Sequence, residues 1–262
     1  MKRKVHGVLF ALAVLLVMAH ATPRVAAYHT KEDTFVQMYA PVDLENGLIL
    51  VPKAKKESSA RGGYKIEVRY PYIREARSAV AKQFNQEINA LISKEIESIK
   101  EGLEEIRNDP AFKHSFPFTL NLDYSLLMAA HGLISILFEG YSYEGGGTSI
   151  PYASVLNYDL TKGKALSLDD LFKPNSSYLR VISSYCINSL KQRPLVSDEH
   201  IERGASEKIE NYGTWNITPK GLLITFPPYQ VASKAEGTQQ VLIAFRVLKH
   251  ILKPGSYIQT DD

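Results

Sequence analysis

Three residues have side chains suited to acid–base chemistry, and they lie in two places along the chain. Asp169 and Asp170 are adjacent, and His131 precedes Gly132. A hydrolase using them would have to bring them into one cleft. Capping, turn formation and solvation explain adjacent aspartates more simply, and His131 has no second histidine or carboxylate beside it at the spacing of a metal site. The sequence therefore favours a protein that is not an enzyme and needs no cofactor or metal, with an envelope hydrolase as the alternative.

The glycine triplet at residues 145–147 and the single cysteine also invite a functional interpretation. A P-loop requires a Lys-Ser/Thr pair that opens a helix, and a dinucleotide-binding loop requires GxGxxG before a helix. Here Ile150, Pro151 and Tyr152 follow the glycines and favour extended chain, so we predict a tight connection between two strands. Cys186 lies on a predicted helix without an accompanying histidine pattern, which is typical of a buried, unreactive thiol.

Tyrosines are the remaining candidates for a functional surface. An exposed tyrosine offers a rigid contact area that stacks on sugars or on a partner's side chains. We predict a recognition face made by residues 141–150 and 227–237, and the residues that we expect to bind are Tyr141, Tyr143, Tyr152 and Tyr229. Packing of these rings in the core is the alternative.

Alternating apolar residues predict the strands that would present these tyrosines. Ile134, Ile136 and Phe138 share one face of a strand that runs from residue 133 to 143 and follows another at 120–128. The pair His131-Gly132 would form the turn between them. A further strand at 155–160 ends in a hairpin turn at 161–164, with Gly163 in the left-handed position.

The rest of the chain supplies helices and further strands. We predict an edge strand at 48–51, a charged mobile loop at 53–63 and a strand at 64–70 that Pro71 ends. Residues 74–107 form a long helix, because apolar residues recur every three or four positions. Shorter helices are expected at 177–191 and 196–212, a hairpin at 214–226 and a last strand at 238–245. The predicted fold is α+β, with an antiparallel sheet packed on one long amphipathic helix and two further helices.

The first 27 residues predict a secretory signal peptide. Lys2, Arg3 and Lys4 precede an apolar stretch at 8–18, which is too short to cross a bilayer comfortably. Cleavage is expected after Ala27, with Ala21 as a second site, and an uncleaved membrane anchor is the alternative. Four of the 31 Lys and Arg residues and none of the 28 Asp and Glu residues lie in this segment, so the remainder has a formal charge of −1. We therefore expect a secreted or periplasmic protein that binds neither nucleic acid nor, after cleavage, a membrane.

Two stretches resemble known families. The segment YKIEVRYPYI, with the later FNQEIN, resembles the module found beside PdaC-type polysaccharide deacetylases. The segment YSYEGGGTSIPYASVLNYDLTKGKALSLDDLF, with the later WNITPKGLLITFPPYQ, is similar to the extracellular domain of RsiV-type anti-sigma factors, which binds lysozyme. The residues predict a signal peptide at 1–27, an extension and mobile loop at 28–63 and a polar tail at 255–262. The resemblance implies the deacetylase-associated module at 64–130 and an RsiV-like domain at 131–254, and we expect 64–254 to form one compact unit.

The resemblance and the leader together imply an exported, free-standing recognition domain of the cell envelope. Its partner would be a cell-wall glycan such as peptidoglycan, or a wall-degrading enzyme such as lysozyme. A purely structural envelope protein is a further alternative.

Overall fold

The computed structural model describes residues 40–45, 47–106, 117–144, 149–193 and 197–255. The predicted signal peptide, the glycine triplet at 145–147 and most of the predicted tail lie outside this part of the chain. The described residues form these strands and helices: β1 (Val42–Asp43), β2 (Ile49–Ser59), β3 (Tyr64–Arg74), α1 (Ala79–Ile106), β4 (Phe118–Ala130), β5 (Leu133–Tyr143), β6 (Ile150–Asp159), β7 (Lys164–Ala165), α2 (Tyr178–Lys191), α3 (Asp198–Gly204), β8 (Trp215–Thr218), β9 (Gly221–Phe226), β10 (Gln239–Ala244) and α4 (Phe245–Leu248).

The mixed α+β class is as predicted, but the strands form two sheets where a single antiparallel one was predicted. Strands β1 to β7 lie in sequence order in a seven-stranded sheet, and β10, β9 and β8 form a second, small sheet. All described pairs are antiparallel except β3 and β4, in which Tyr64 pairs with Phe118 and Val68 with Leu122. The parallel pair follows from α1, because a helical crossover returns the chain to the end at which the first strand began.

Helix α1 and the seven-stranded sheet share one hydrophobic core. Phe84, Ile88 and Ile92 of the helix are buried in the same cluster as Ile66 of β3 and Leu120 of β4. The apolar residues that recur every three or four positions thus form a stripe on the buried side of α1. The helix begins at Ala79 and not at residue 74.

The opposite face of the seven-stranded sheet packs on the small sheet. Leu127 and Leu137 of the large sheet meet Leu223 of β9, while Leu222 and Ile224 of β9 turn away and share a second core with α2, which contributes Ile182, Cys186 and Leu190. The layers are therefore α1, the seven-stranded sheet, the small sheet and α2.

A buried polar cluster fastens the two sheets to each other. The hydroxyl of Ser135 donates to Oδ1 of Asn157 (2.6 Å), and Nδ2 of Asn157 donates to the carbonyl of Trp215 (2.8 Å). Nδ2 of Asn216 donates to Oγ of Ser135 and to the carbonyl of Ile136, both at 3.0 Å. Because buried amides are costly unless they are paired, this cluster fixes one alignment of the sheets.

The prediction of a mobile loop at residues 53–63 is wrong for most of its length. Residues 53–59 belong to β2, which pairs with β3 from Ile49 opposite Arg74 to Ser59 opposite Tyr64. Hydrogen bonds stabilise the strand on the side that faces α1: Glu57 accepts from Lys100 of α1 (2.6 Å) and from the hydroxyl of Tyr64 (2.7 Å).

Pro71 does not end β3, contrary to the prediction. The parallel pairing with β4 stops at Val68, so Pro71 lies where β3 is paired only with β2. The residue opposite Pro71 on β2 is Pro52. Neither proline has an N–H, so the pair occupies a non-hydrogen-bonded position of the ladder.

The predicted helix at 196–212 is also too long. Helix α3 ends at Gly204, and a separate 3₁₀ turn follows at Ile209–Tyr212. The carbonyl of Ala205 accepts hydrogen bonds from the hydroxyls of Ser183 (2.7 Å) and Tyr212 (2.6 Å). These bonds hold the chain in a turn where a continuous helix would need that carbonyl for its own ladder.

Candidate functional site

Part of the large sheet's surface opposite α1 is left uncovered by the small sheet. The small sheet reaches Leu137 of β5 and Val155 of β6. Beyond this row, alternate residues of β2 to β6 point away from the core that α1 covers and are exposed or half-buried. We call this surface the open face; its members are Lys56, Lys65, Glu67, Arg69, Thr119, Asn121, Asp123, Glu139, Tyr141, Tyr143, Pro151 and Ala153.

Strand register places Tyr141 on β5, one strand in from the β6 edge of the open face. The side chain of Tyr141 is 59% exposed. Its cross-strand neighbours are the exposed amide of Asn121 on β4 and the ring of Pro151 on β6. The row continues through Glu67 of β3 to Lys56 of β2 and is about 19 Å across at the usual strand spacing. A flat aromatic ring is thus presented between hydrogen-bonding groups and a second apolar ring.

Charged side chains of the open face are held in fixed positions by ion pairs. Nη1 of Arg69 lies 2.7 Å from Oδ2 of Asp123, and Nζ of Lys56 lies 2.6 Å from Oε1 of Glu67. The hydrogen bond from Lys56 lowers the pKa of Glu67. Glu139 lies directly opposite Asp123, and burial raises the pKa of Glu139. The open face therefore combines three cationic and three anionic side chains and has little net charge.

The four predicted tyrosines do not share one surface. Tyr141 and Tyr143 lie on the open face, but Tyr152 points to the opposite side of the sheet and packs against the core beneath α1. Burial, together with a hydrogen bond to Glu95 of α1, raises the pKa of Tyr152. Strand periodicity explains this placement: β5 and β6 pair odd-numbered residues with odd-numbered ones, so the even-numbered Tyr152 lies on the face opposite to Tyr141.

Tyr229 belongs to a separate part of the molecule. It follows β9, has a φ of 72° and is 67% exposed. The neighbouring Gln230 anchors this loop by donating to the carbonyls of Gly204 and Asn211, both at 2.8 Å. Among the contacts of the described residues, none links Tyr229 to the open face.

The three acid–base candidates have structural partners. His131 occupies the β4–β5 turn with a φ of 54°, and its backbone N–H donates to Oε2 of Glu45 (2.8 Å). Asp170 accepts from the N–H of Ser167 (3.0 Å) and from Lys164 (3.0 Å); although burial opposes it, these bonds hold the pKa of Asp170 below its ordinary value. Asp169 is exposed and lies in the same 3₁₀ turn, Leu168–Leu171. No contact described here joins His131 to either aspartate.

Thiol and metal chemistry find no support in the part of the chain that the structure describes. Cys186 is fully buried, and burial raises the pKa of its thiol to about 12, so the thiolate is scarce at neutral pH. Within the described ranges, no group of three or more histidine, cysteine or acidic side chains is placed to hold a metal ion. None of the described helices has the length and apolar composition needed to cross a membrane.

Two family models match the chain. Residues 57–149 match the family described as deacetylase PdaC, and residues 169–246 match a family described as a protein of unknown function, DUF3298. The chain thus contains a segment of the PdaC-associated type followed by a DUF3298 segment. The first segment contains most of the open face, including Tyr141, Asn121 and Asp123. The RsiV-like identity of the second segment stays a prediction.

The proteins that resemble the chain include a curated relative and the crystal structures of two DUF3298 family proteins. Over 189 residues the chain is 29% identical to the peptidoglycan-N-acetylmuramic acid deacetylase PdaC of Bacillus subtilis (strain 168). The matched region is 71% of this chain and 38% of that protein. A DUF3298 family member from Bacteroides fragilis has a TM-score of 0.59 at 15% identity, covering 79% of this chain and 94% of that one. A DUF3298 family protein from Pseudomonas aeruginosa PAO1 has a TM-score of 0.56 at 14% identity, covering 81% and 97%. Both structures share the fold of this chain.

Proposed function

We propose that this protein is an exported recognition domain whose open face binds a cell-wall glycan. The observation that carries the proposal is Tyr141, which is 59% exposed between Asn121 and Pro151 on a sheet surface that the small sheet leaves uncovered. The similarity to a peptidoglycan deacetylase supports a role connected with the cell wall.

The chemistry of the open face suits a sugar polymer. The ring of Tyr141 can stack on the apolar face of a pyranose, while the amide of Asn121 can donate to and accept from hydroxyl or acetamido groups. The ion pair between Arg69 and Asp123 keeps two further hydrogen-bonding groups in place before binding, which lowers the entropic cost of ordering them. A flat surface with little net charge suits an extended, uncharged stretch of glycan.

The other functions considered have weaker support. The relative's deacetylase activity is stated for a protein of which this chain covers 38%, and the hydrolase alternative would require His131, Asp169 and Asp170 to converge. Lysozyme is a basic protein, and a binding surface for it would be acidic. The open face has equal numbers of cationic and anionic side chains, so its charge does not favour lysozyme.

Titration calorimetry with soluble peptidoglycan fragments tests the proposal. We expect the chain without its leader to bind the fragments. Tyr141→Ala should weaken binding at least about tenfold, which corresponds to ~1.4 kcal/mol. Tyr229→Ala is the matched control, because it removes another exposed ring away from the open face, and it should bind like the wild type. Absence of binding by the wild type, or equal binding by Tyr141→Ala, would overturn the proposal. Lysozyme is titrated in parallel. If lysozyme binds and the fragments do not, the partner is a protein and not a glycan.

Export has its own test. When the full chain is expressed with its leader, N-terminal sequencing of the product outside the cytoplasm should begin at Tyr28, or at Thr22 if cleavage follows Ala21. A product that stays inside the cell and retains Met1 would contradict the proposed localisation.

A further inference from the structure

The two outer edges of the seven-stranded sheet differ in their chemistry. On one side, β1 covers only Ile49 and Leu50 of β2, and the uncovered remainder of β2 carries Lys53, Lys55 and Lys56. On the other side, within the described part of the chain, β7 pairs only with Tyr158 and Asp159 of β6. The uncovered residues 150–155, IPYASV, carry no charge. Lysines on an edge strand prevent its association with other strands, so only the β2 edge has this protection.

Strand parity shows which backbone groups of β6 face outward. The N–H of Leu166 donates to the carbonyl of Asn157 on the outer side of β6 (2.8 Å), so odd-numbered residues of β6 direct their backbone groups away from β5. The outward groups of the uncovered stretch are the N–H groups of Ala153 and Val155 and the carbonyls of Pro151, Ala153 and Val155. The contacts of the described residues supply none of these five groups with a protein partner. Pro151 lies at an outward position, where its missing N–H costs the sheet nothing.

We propose that this edge pairs with the β6 edge of a second copy of the same chain. Antiparallel pairing about a two-fold axis at Ala153 allows the N–H of Ala153 in each copy to donate to the carbonyl of Ala153 in the other. Each Val155 N–H then meets a Pro151 carbonyl of the second copy. The arrangement makes four hydrogen bonds, and the absent N–H groups of the two prolines fall at the ends of the ladder.

The side chains along this edge are compatible with self-pairing. On the open-face side, Ala153 meets its own copy with the smallest side chain of the strand, and Val155 lies opposite Pro151. On the α1 side, Tyr152 lies opposite Ser154. No charged side chain of β6 meets a like charge, whereas pairing of two β2 edges would bring lysines together. Ile150, which is 46% exposed, would gain apolar cover at each end.

The size of the edge determines the strength of the pair. Six residues of strand extend for about 20 Å, and pairing along such a length buries less surface than a standard stable interface. The expected product is therefore a weak dimer that forms as the protein concentration rises.

The two-fold axis runs perpendicular to the sheet, so both open faces point the same way and their Tyr141 rings lie in strands about 14 Å apart. Such a dimer would present two copies of the open face to one polymer.

Sedimentation equilibrium from low micromolar to millimolar protein tests the proposal without any ligand. The wild type should pass from monomer to dimer. Ala153→Lys places two like charges opposite each other at the axis and should weaken the dimer at least tenfold. Ala54→Lys, on the same side of the sheet at the β2 edge, is the matched control and should dimerise like the wild type. A mixture of Ala153→Lys and Ala153→Glu should restore the dimer by pairing opposite charges.

A wild type that remains monomeric throughout, an Ala153→Lys variant that dimerises like the wild type, or a mixture that stays monomeric would each overturn the proposal. Amide exchange of the wild type gives a measurement that depends on no variant. The N–H groups of Ala153 and Val155 should exchange fast in dilute protein and become protected in concentrated protein. Equal exchange rates at both concentrations would also contradict the pairing.

Discussion

At the scale of single residues, the amide of Asn157 has the largest structural role that we assign. It accepts from Ser135 in its own sheet and donates to the Trp215 carbonyl in the small sheet. Asn157→Ala leaves the hydroxyl proton of Ser135 and the carbonyl of Trp215 buried without the partner that Asn157 supplies. We therefore predict a loss of about 2–3 kcal/mol in the free energy of unfolding. Urea denaturation measures it, and Asn121→Ala, which removes an exposed amide, should cost less than about 0.5 kcal/mol. Equal losses for the two variants would show that Asn157 does not fasten the sheets.

Glu57 gives the protein a specific dependence on pH. Hydrogen bonds from Lys100 first and from Tyr64 second lower the pKa of Glu57 from its ordinary value of 4.5. A carboxyl whose pKa is lower in the folded state stabilises the fold above its unfolded pKa and loses that contribution as the pH falls through its folded pKa. We predict that Glu57→Gln makes stability less dependent on pH in this acidic range. Denaturation midpoints at a series of pH values test this, with exposed Glu101→Gln as the control. A wild-type slope in the Glu57 variant would contradict the prediction.

At the scale of elements, helix α1 depends on its buried stripe. Ile92 is 3% exposed in the core between α1 and the sheet. A lysine there would have to bury a charge without a partner, so we predict that Ile92→Lys costs more than about 3 kcal/mol or prevents folding. Ala90→Lys on the exposed side of the same helix should change stability by less than about 0.5 kcal/mol. Ile92→Val, expected to cost about 1 kcal/mol, keeps the effect measurable by urea denaturation. Equal losses for Ile92→Lys and Ala90→Lys would contradict burial of the stripe.

The elements with local signals could be predicted from the sequence. Apolar spacing predicts α1, and the turns at His131-Gly132 and around Gly163, whose φ values are positive, predict two hairpins. Only the start of β2 was predicted, as the edge strand at 48–51. The rest escaped prediction because Lys53, Lys55 and Lys56 hide the alternation, and because the strand is stabilised by partners that are distant in sequence, such as Lys100. The parallel pairing of β3 with β4 and the separation into two sheets depend on long-range contacts that no local pattern specifies.

The candidate site could be predicted only in part, for the same reason. Tyr141 stands out as a tyrosine on a predicted strand. The polar residues around it, such as Asn121 and Asp123, look like the ordinary wet side of a strand until the register places them beside it. The only sequence signal for these residues was the alternation itself. Polar residues at odd positions of β3 and β4 show that they share one surface, but they do not show whether another layer covers that surface.

At the scale of the whole molecule, stability and recognition are assigned to different layers. The cores on both sides of the seven-stranded sheet and the polar cluster around Asn157 hold the fold together. The open face contributes no residue to these cores, so its side chains can change with little effect on stability. Chemical-shift mapping of backbone amides during titration with soluble peptidoglycan fragments tests the proposed role of this surface most directly. We predict perturbations at residues 119–123, 139–143 and 151–153, with little change around Tyr229. Perturbations elsewhere, or none at saturating fragment, would contradict the assignment of the open face.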